Sequence, residues 1–169
     1  METFDDLQSL KEELAGYHAF ICTLGTRTKV GEAEFTKVDL TYPLEFAKLG
    51  RELGVPHYLL LTSMGANFKS LFLYMRVKGQ VEEAIKQLRF PKLSIYRPGL
   101  LLNREHDHRI GEKIASYIPF ISKIEAADVG RVMLEHAVGD SPLAPTENTS
   151  QVNVIVHDQI RNEARALKQ

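Results

Sequence analysis

The sequence is short of several things, and each shortage excludes something. It holds one cysteine, Cys22, in 169 residues, so no internal disulfide can form and a reducing compartment is implied. Its 21 Lys and Arg against 22 Asp and Glu leave a formal net charge of −1, which argues against a nucleic-acid binder held by bulk electrostatics. No apolar run approaches the ~20 residues that cross a bilayer. The acidic, polar start Met1-Glu2-Thr3-Phe4-Asp5-Asp6 has the character of neither a secretory signal nor a transit peptide. A cytosolic protein with access to the nucleus is expected. None of the 11 glycines falls in a G-x-G-x-x-G or G-x-x-G-x-x-G turn after a strand, the pattern whose backbone N–H groups cradle phosphates.

What is present is the balance of a folded domain. Hydrophobic residues make up 44% and charged residues 25%, enough for one domain over residues 1–169 with a real core. Leu7, Leu10 and Leu14 stand at helical spacing, with Gly16 placed to end that helix. His18 to Gly25 is a compact apolar run closed by glycine and reads as a buried strand. Thr26 to Gly31 is a polar, basic loop. Glu32 to Leu53 reads as a long helix that Pro43 kinks or restarts. His57 to Leu61 is a second buried strand, and Phe68 to Leu88 is helical in pattern. Lys92 to Arg97 is a third strand, turned by Pro98-Gly99. A polar loop over Asn103 to Arg109 precedes a helix ended by Pro119. Glu125 to Ala137 reads as a helix, Gly139 to Ser150 as a loop, and Val152 to Val156 as a short last strand before a polar helical tail. Strands alternating with helices predict an α/β domain, a parallel sheet flanked by helices.

The chemistry concentrates around one stretch. Leu59-Leu60-Leu61 ends in Thr62 and Ser63, and the next helical segment carries Tyr74 and Lys78. Positions i and i+4 share a helix face. A phenol beside an ammonium is a proton donor, because a positive neighbour favours the phenolate. In open parallel sheets, sites form at the carboxyl ends of the strands. Those ends fall at Leu24-Gly25, Thr62-Ser63 and Arg97-Pro98-Gly99, beside the Tyr74–Lys78 helix.

These segments together resemble the atypical short-chain dehydrogenases, specifically the Tat-interacting oxidoreductase family. The resemblance is carried by Cys22-Thr23-Leu24-Gly25-Thr26, Phe35-Thr36-Lys37-Val38-Asp39 and Leu60-Leu61-Thr62-Ser63-Met64-Gly65-Ala66. It continues through Phe72-Leu73-Tyr74-Met75-Arg76-Val77-Lys78-Gly79 and Arg97-Pro98-Gly99-Leu100-Leu101-Leu102. It implies a Rossmann fold binding NADP (NADPH) and a carbonyl or alcohol substrate. Tyr74 is then the proton donor or acceptor. Lys78 holds the nicotinamide ribose and eases ionisation of Tyr74. Ser63 or Thr62 supplies the hydroxyl that stabilises the developing oxyanion. Leu24, Gly25, Leu101 and Arg109 match cofactor-binding positions. The family begins with a strand, a glycine-rich turn and a helix that this sequence lacks, so an N-terminally incomplete Rossmann-like sheet is expected, with an edge strand near residue 20. Self-association or a protein partner at that edge follows. The alternative to the enzyme is a regulatory, protein-binding module with the same fold and weak or lost cofactor binding.

Other residues read more quietly. His106-Asp107-His108 is a weak metal pattern with no third ligand in view, so no metal is expected. His18 and His57 are packing or capping residues, and Cys22 is a small core residue. Met64 and Phe68 are pocket or packing residues. Arg27, Lys29, Arg104 and Arg109 are loop cations whose place at strand ends suits either solvent or phosphate. Asp39 is a supporting residue at most.

Overall fold

The computed structural model describes residues 4–103, 122–139 and 150–168. Four strands form one parallel sheet: β1 (Ala19–Cys22), β2 (His57–Leu61), β3 (Lys92–Arg97) and β6 (Gln151–Val156), in that spatial order. The register runs Ile21 to Leu59, Leu59 to Ser94 and Ser94 to Asn153. A separate parallel pair joins β4 (Leu100–Leu102) to β5 (Lys123–Glu125). These two three-residue strands were not foreseen from the sequence, which gave only a turn at Pro98-Gly99.

Helices cover both faces. Period-two alternation sends Tyr58 and Leu60 to one face of β2 and Leu59 to the other. On the first face, Phe20, Cys22, Tyr58, Leu60, Leu93 and Ile95 pack with Ala47 of α2 (Tyr42–Glu52) and Val81 and Ile85 of α3 (Leu73–Lys86). On the second, Leu59, Tyr96 and Ile155 pack with Val129, Val132 and Met133 of α4 (Ala126–Val138) and with Ile160 and Ala164 of α5 (His157–Ala166). Each such fully buried aliphatic or aromatic side chain contributes about 1.5–3 kcal/mol of transfer free energy. Among the described residues β1 pairs on one side only, as expected of the strand near residue 20.

The long helix predicted over 32–53 is interrupted. Residues Glu32–Thr36 form α1, Lys37–Thr41 take π-helical geometry, and α2 follows without a break, with Pro43 at its second position, where the missing N–H interrupts the run of helical hydrogen bonds. A π-turn accommodates one extra residue and bulges the helix locally. Two expectations need correction. The first helix is a 3₁₀ segment, Phe4–Leu10, kinked at Asp6. The helix expected from Phe68 begins only at Leu73, and residues 63–72 form a loop instead. Asn67 and Phe68 of that loop lie against α3, where a Cβ on Gly79 would meet the Phe68 nitrogen at 2.1 Å. Only glycine lets the loop backbone approach that closely. The helix expected before Pro119 and the His106-Asp107-His108 pattern lie outside the described residues.

Candidate active site

At the carboxyl ends of the strands lies a cavity of about 580 Å³. Its walls include Leu24 and Gly25 after β1, Thr62 and Ser63 after β2, Pro98 and Gly99 after β3, and Leu101 of β4, with Tyr74 and Lys78 from α3. The structure thus brings every site residue named from the sequence to one cavity, except Arg109, which lies outside the described residues.

Tyr74 and Lys78 are one helical turn apart but sit in different surroundings. Tyr74 is half-exposed, and its ring leans on the buried Phe35 of α1 with centroids 5.9 Å apart. Lys78 is buried, and its ammonium lies 2.8 Å from Oδ1 of Asp39, itself 1% exposed. Asp39 occupies the π-turn, and its Oδ2 accepts a hydrogen bond from the Thr26 N–H at 2.7 Å. One carboxylate therefore ties the loop after β1 to the cation of α3. A Cβ built on Gly25 would sit 3.2 Å from Asp39 Oδ1 and 3.4 Å from Lys78 Nζ, so a side chain there would crowd the pair. Sequence reading gave Asp39 only a supporting place. The one signal available was an acidic residue in an apolar helix segment upstream of a proline.

The two adjacent hydroxyls separate cleanly. Thr62 donates its hydroxyl to Glu82 Oε1 at 2.7 Å, and Glu82, 1% exposed, also receives Nε of Arg97 at 2.9 Å and a second guanidinium bond. That buried network turns Thr62 inward. The Ser63 hydroxyl is buried and has no hydrogen-bond partner among the described residues, while Ser63 lines the cavity. An unpaired buried hydroxyl costs free energy unless a ligand satisfies it. Behind the Pro98-Gly99 turn, His157 at the start of α5 accepts the Gly99 N–H at Nδ1, 3.1 Å away. Burial pushes the His157 imidazole below its ordinary range, with Asp158 opposing the shift and Arg161 adding to it.

The remaining candidates fall into packing roles. His18 Nε2 bonds the Ala137 carbonyl at 3.1 Å, and His57 Nε2 bonds the Ser94 hydroxyl at 2.9 Å. Cys22 is buried and burial pushes its thiol up, the reverse of what a nucleophile needs.

The walls suit one end of a dinucleotide better than the other. The space left by Gly25, the Ser63 hydroxyl without a partner among the described residues and the Lys78 ammonium are groups that could hold a ribose. For a pyrophosphate the described lining offers a single cation, Lys78, already faced by Asp39.

No family model matches the chain. Protein HTATIP2 of Rattus norvegicus is 41% identical over 113 residues, covering 66% of this chain and 47% of that protein. Protein FMP52-2, mitochondrial, of Scheffersomyces stipitis is 33% identical over 169 residues, covering 94% of this chain and 74% of that protein. Against several relatives the matched stretch spans about half of the other protein's length, 47% and 56% in two of them. Two solved structures share the fold at a TM-score of 0.68. MoeE5 in complex with UDP-glucose and NAD is 10% identical, covering 97% of this chain and 66% of that one. UDP-glucose 4-epimerase of Thermotoga maritima with UDP-glucose is 12% identical, covering 99% and 66%. At that identity they establish a Rossmann-type α/β fold.

Proposed function

The chain belongs to the family of the HTATIP2 and FMP52 proteins, and on that premise we propose that it carries the proton-handling site of an NADP-dependent oxidoreductase of the short-chain type, interconverting a carbonyl and an alcohol. One observation supports the reading above others: Ser63, Tyr74 and Lys78 line a single cavity at the carboxyl ends of parallel strands. The dinucleotide, when bound, supplies the hydride chemistry. Leu24, Gly25, Tyr74, Lys78 and Leu101 would hold it, and the choice of NADP over NAD rests on the family resemblance. Tyr74 gives or takes the substrate proton through its phenol oxygen, a contribution of about 10²–10⁴ in rate for a positioned acid or base. The Ser63 hydroxyl donates to the substrate oxygen as charge develops there. Lys78, held in place by Asp39, binds ribose hydroxyls.

Titrating NADPH into the 169-residue protein tests this. A ligand that binds only the native state raises the melting temperature by RT ln(1 + [L]/Kd). Binding together with lost turnover in Tyr74→Phe supports the assignment. No shift at millimolar NADPH sinks it in favour of a protein-binding module.

Two further readings go with this one. The edge of β1 that has no partner strand among the described residues is where a second copy or a partner strand would add. The single buried cysteine suits a reducing compartment, cytosol with nuclear access. Fungal relatives are named mitochondrial, and no helix among the described residues is long and apolar enough to cross a membrane. Subcellular fractionation decides between the compartments.

A further inference from the structure

The polar groups of the cavity are unevenly distributed, and most are already engaged. Among the described residues its charged lining consists of Asp39 and Lys78, which neutralise each other at 2.8 Å. Thr62 is committed to Glu82, and the Asn103 amide donates to Glu125 Oε2 at 2.8 Å. Thr23 and Thr26 stand at the end of β1, on the Gly25 side. Among the described residues, the side-chain hydroxyls left on the Ser63 side of the lining are those of Ser63 itself and of Tyr74. Two such donors match one carbonyl oxygen.

The rest of that side is apolar. Met64, Met75, Pro98, Leu100 and Leu101 line it. The Met64 N–H bonds the Pro98 carbonyl at 2.8 Å, and a Cβ on Gly65 would lie 3.3 Å from Met75 Cε, so the loop after β2 ties this part of the wall to both the Pro98 turn and α3. Methionine thioethers adapt to irregular apolar ligands. The loop that links the two lining runs exposes Phe68, Leu71 and Phe72, with Leu71 94% exposed. One exposed leucine is ordinary; three large apolar side chains within five residues, bounded at both ends by cavity wall, are a local apolar approach. The loop's own cation, Lys69, lies over the Phe68 ring, and Arg76 pairs with Glu32; neither lines the cavity.

We infer that the substrate of this site is an uncharged aldehyde or ketone with an apolar chain, its carbonyl oxygen between Ser63 and Tyr74 and its chain along Met64, Met75 and Pro98; the inference rests on the oxidoreductase reading above. In the reductive direction the carbonyl carbon gains a hydride from a reduced nicotinamide dinucleotide. The C=O π pair moves to oxygen, which takes the Tyr74 proton. The products are the alcohol and the oxidised nicotinamide, and tyrosinate is reprotonated from solvent.

The test is calorimetric binding of methyl ketones from 2-butanone to 2-decanone, with and without NADP⁺, beside keto acids of equal length bearing a terminal carboxylate. Affinity should rise about fourfold per methylene while the chain is being buried, the equivalent of ~0.8 kcal/mol per CH₂. The keto acids should bind at least tenfold more weakly than ketones of the same length. Met64→Lys should reverse that preference, while Met64→Leu, which keeps the wall apolar, should preserve it and control for folding. Absence of ketone binding in both conditions, an affinity independent of chain length, or tighter binding of keto acids by the unaltered chain overturns the inference. Turnover separates the two readings. Ketones that bind with this length dependence but are never reduced leave the apolar ligand class standing and remove the oxidoreductase. Reduction confined to charged carbonyls keeps the oxidoreductase and overturns the substrate class.

Discussion

Asp39→Asn should be among the most damaging conservative substitutions in the chain. The Asp39 side chain is fully buried and that of Lys78 7% exposed, with 2.8 Å between carboxylate and ammonium. Asparagine keeps an oxygen for the Thr26 N–H, so that bond survives. What is lost is the counter-charge of a buried ammonium, and breaking a buried pair from one side costs about 3–5 kcal/mol. For a chain of this length 1 kcal/mol moves the melting temperature by about 2–4 °C, so a drop of roughly 6–20 °C is expected. Lys78→Met should cost a similar amount, by stranding the carboxylate. The double variant should lose much less than the sum, because an uncharged pair leaves no ion unpaired. Urea unfolding of the four proteins, compared at equal slope, measures the coupling. Single losses below about 1 kcal/mol that simply add would refute the argument, since they would show the pair behaving like a solvent-screened surface bridge.

Two further outcomes follow from the site's hydrogen bonds. Ser63→Ala should leave stability unchanged or slightly raised, since it removes an unpaired buried hydroxyl, yet lower kcat by about 10²–10³, as loss of an oxyanion donor does. Thr62→Val should do the reverse, costing about 1–3 kcal/mol at Glu82 with a smaller kinetic effect, and paired melting and rate measurements would show a crossed pattern. His157 is neutral in the fold, with an imidazole pushed below its ordinary 6.5. The unfolded chain therefore binds its proton first. The stability contributed by the neutral ring is complete above about pH 6.5 and is lost as pH falls from there through the lowered folded value. His157→Asn, which retains an acceptor for Gly99, should flatten that part of the curve in melting scans from pH 7.5 to 5.

What could be read in the sequence was what short-range pattern controls. His57 to Leu61 and Lys92 to Arg97 are strands with the expected limits, because short apolar and aromatic runs bounded by Gly54-Val55-Pro56, Pro91 and Pro98-Gly99 leave few alternatives. Residues 68–72, the second half of the loop over 63–72, read as helix because Phe68, Leu71 and Phe72 imitate helical apolar spacing; tertiary structure leaves all three exposed. That Thr62 is engaged while the Ser63 hydroxyl has no partner among the described residues was out of reach, since it depends on Glu82, 20 residues away, and on Arg97 beyond it. Asp39 was undervalued for the same reason: its partner is 39 positions further on, and its inward aim comes from the π-turn.

That turn makes the site sensitive to a kind of change that substitutions do not sample. Five residues, Lys37–Thr41, occupy a stretch where an ideal α-helix would use one fewer. Deleting a single codon there would give a smoother, more regular helix and, because the bulge absorbs its extra residue locally, would leave the flanking turns and Phe35 on the faces they hold now. The residues of the bulge itself would be re-aimed by about 100° per position, and the Asp39 carboxylate would lose its line to Lys78. An insertion would disturb the same alignment in the opposite sense. Chain length between Glu32 and Pro43 is therefore under constraint in its own right, so that related sequences keeping this site should vary in residue type across the segment while conserving its residue count.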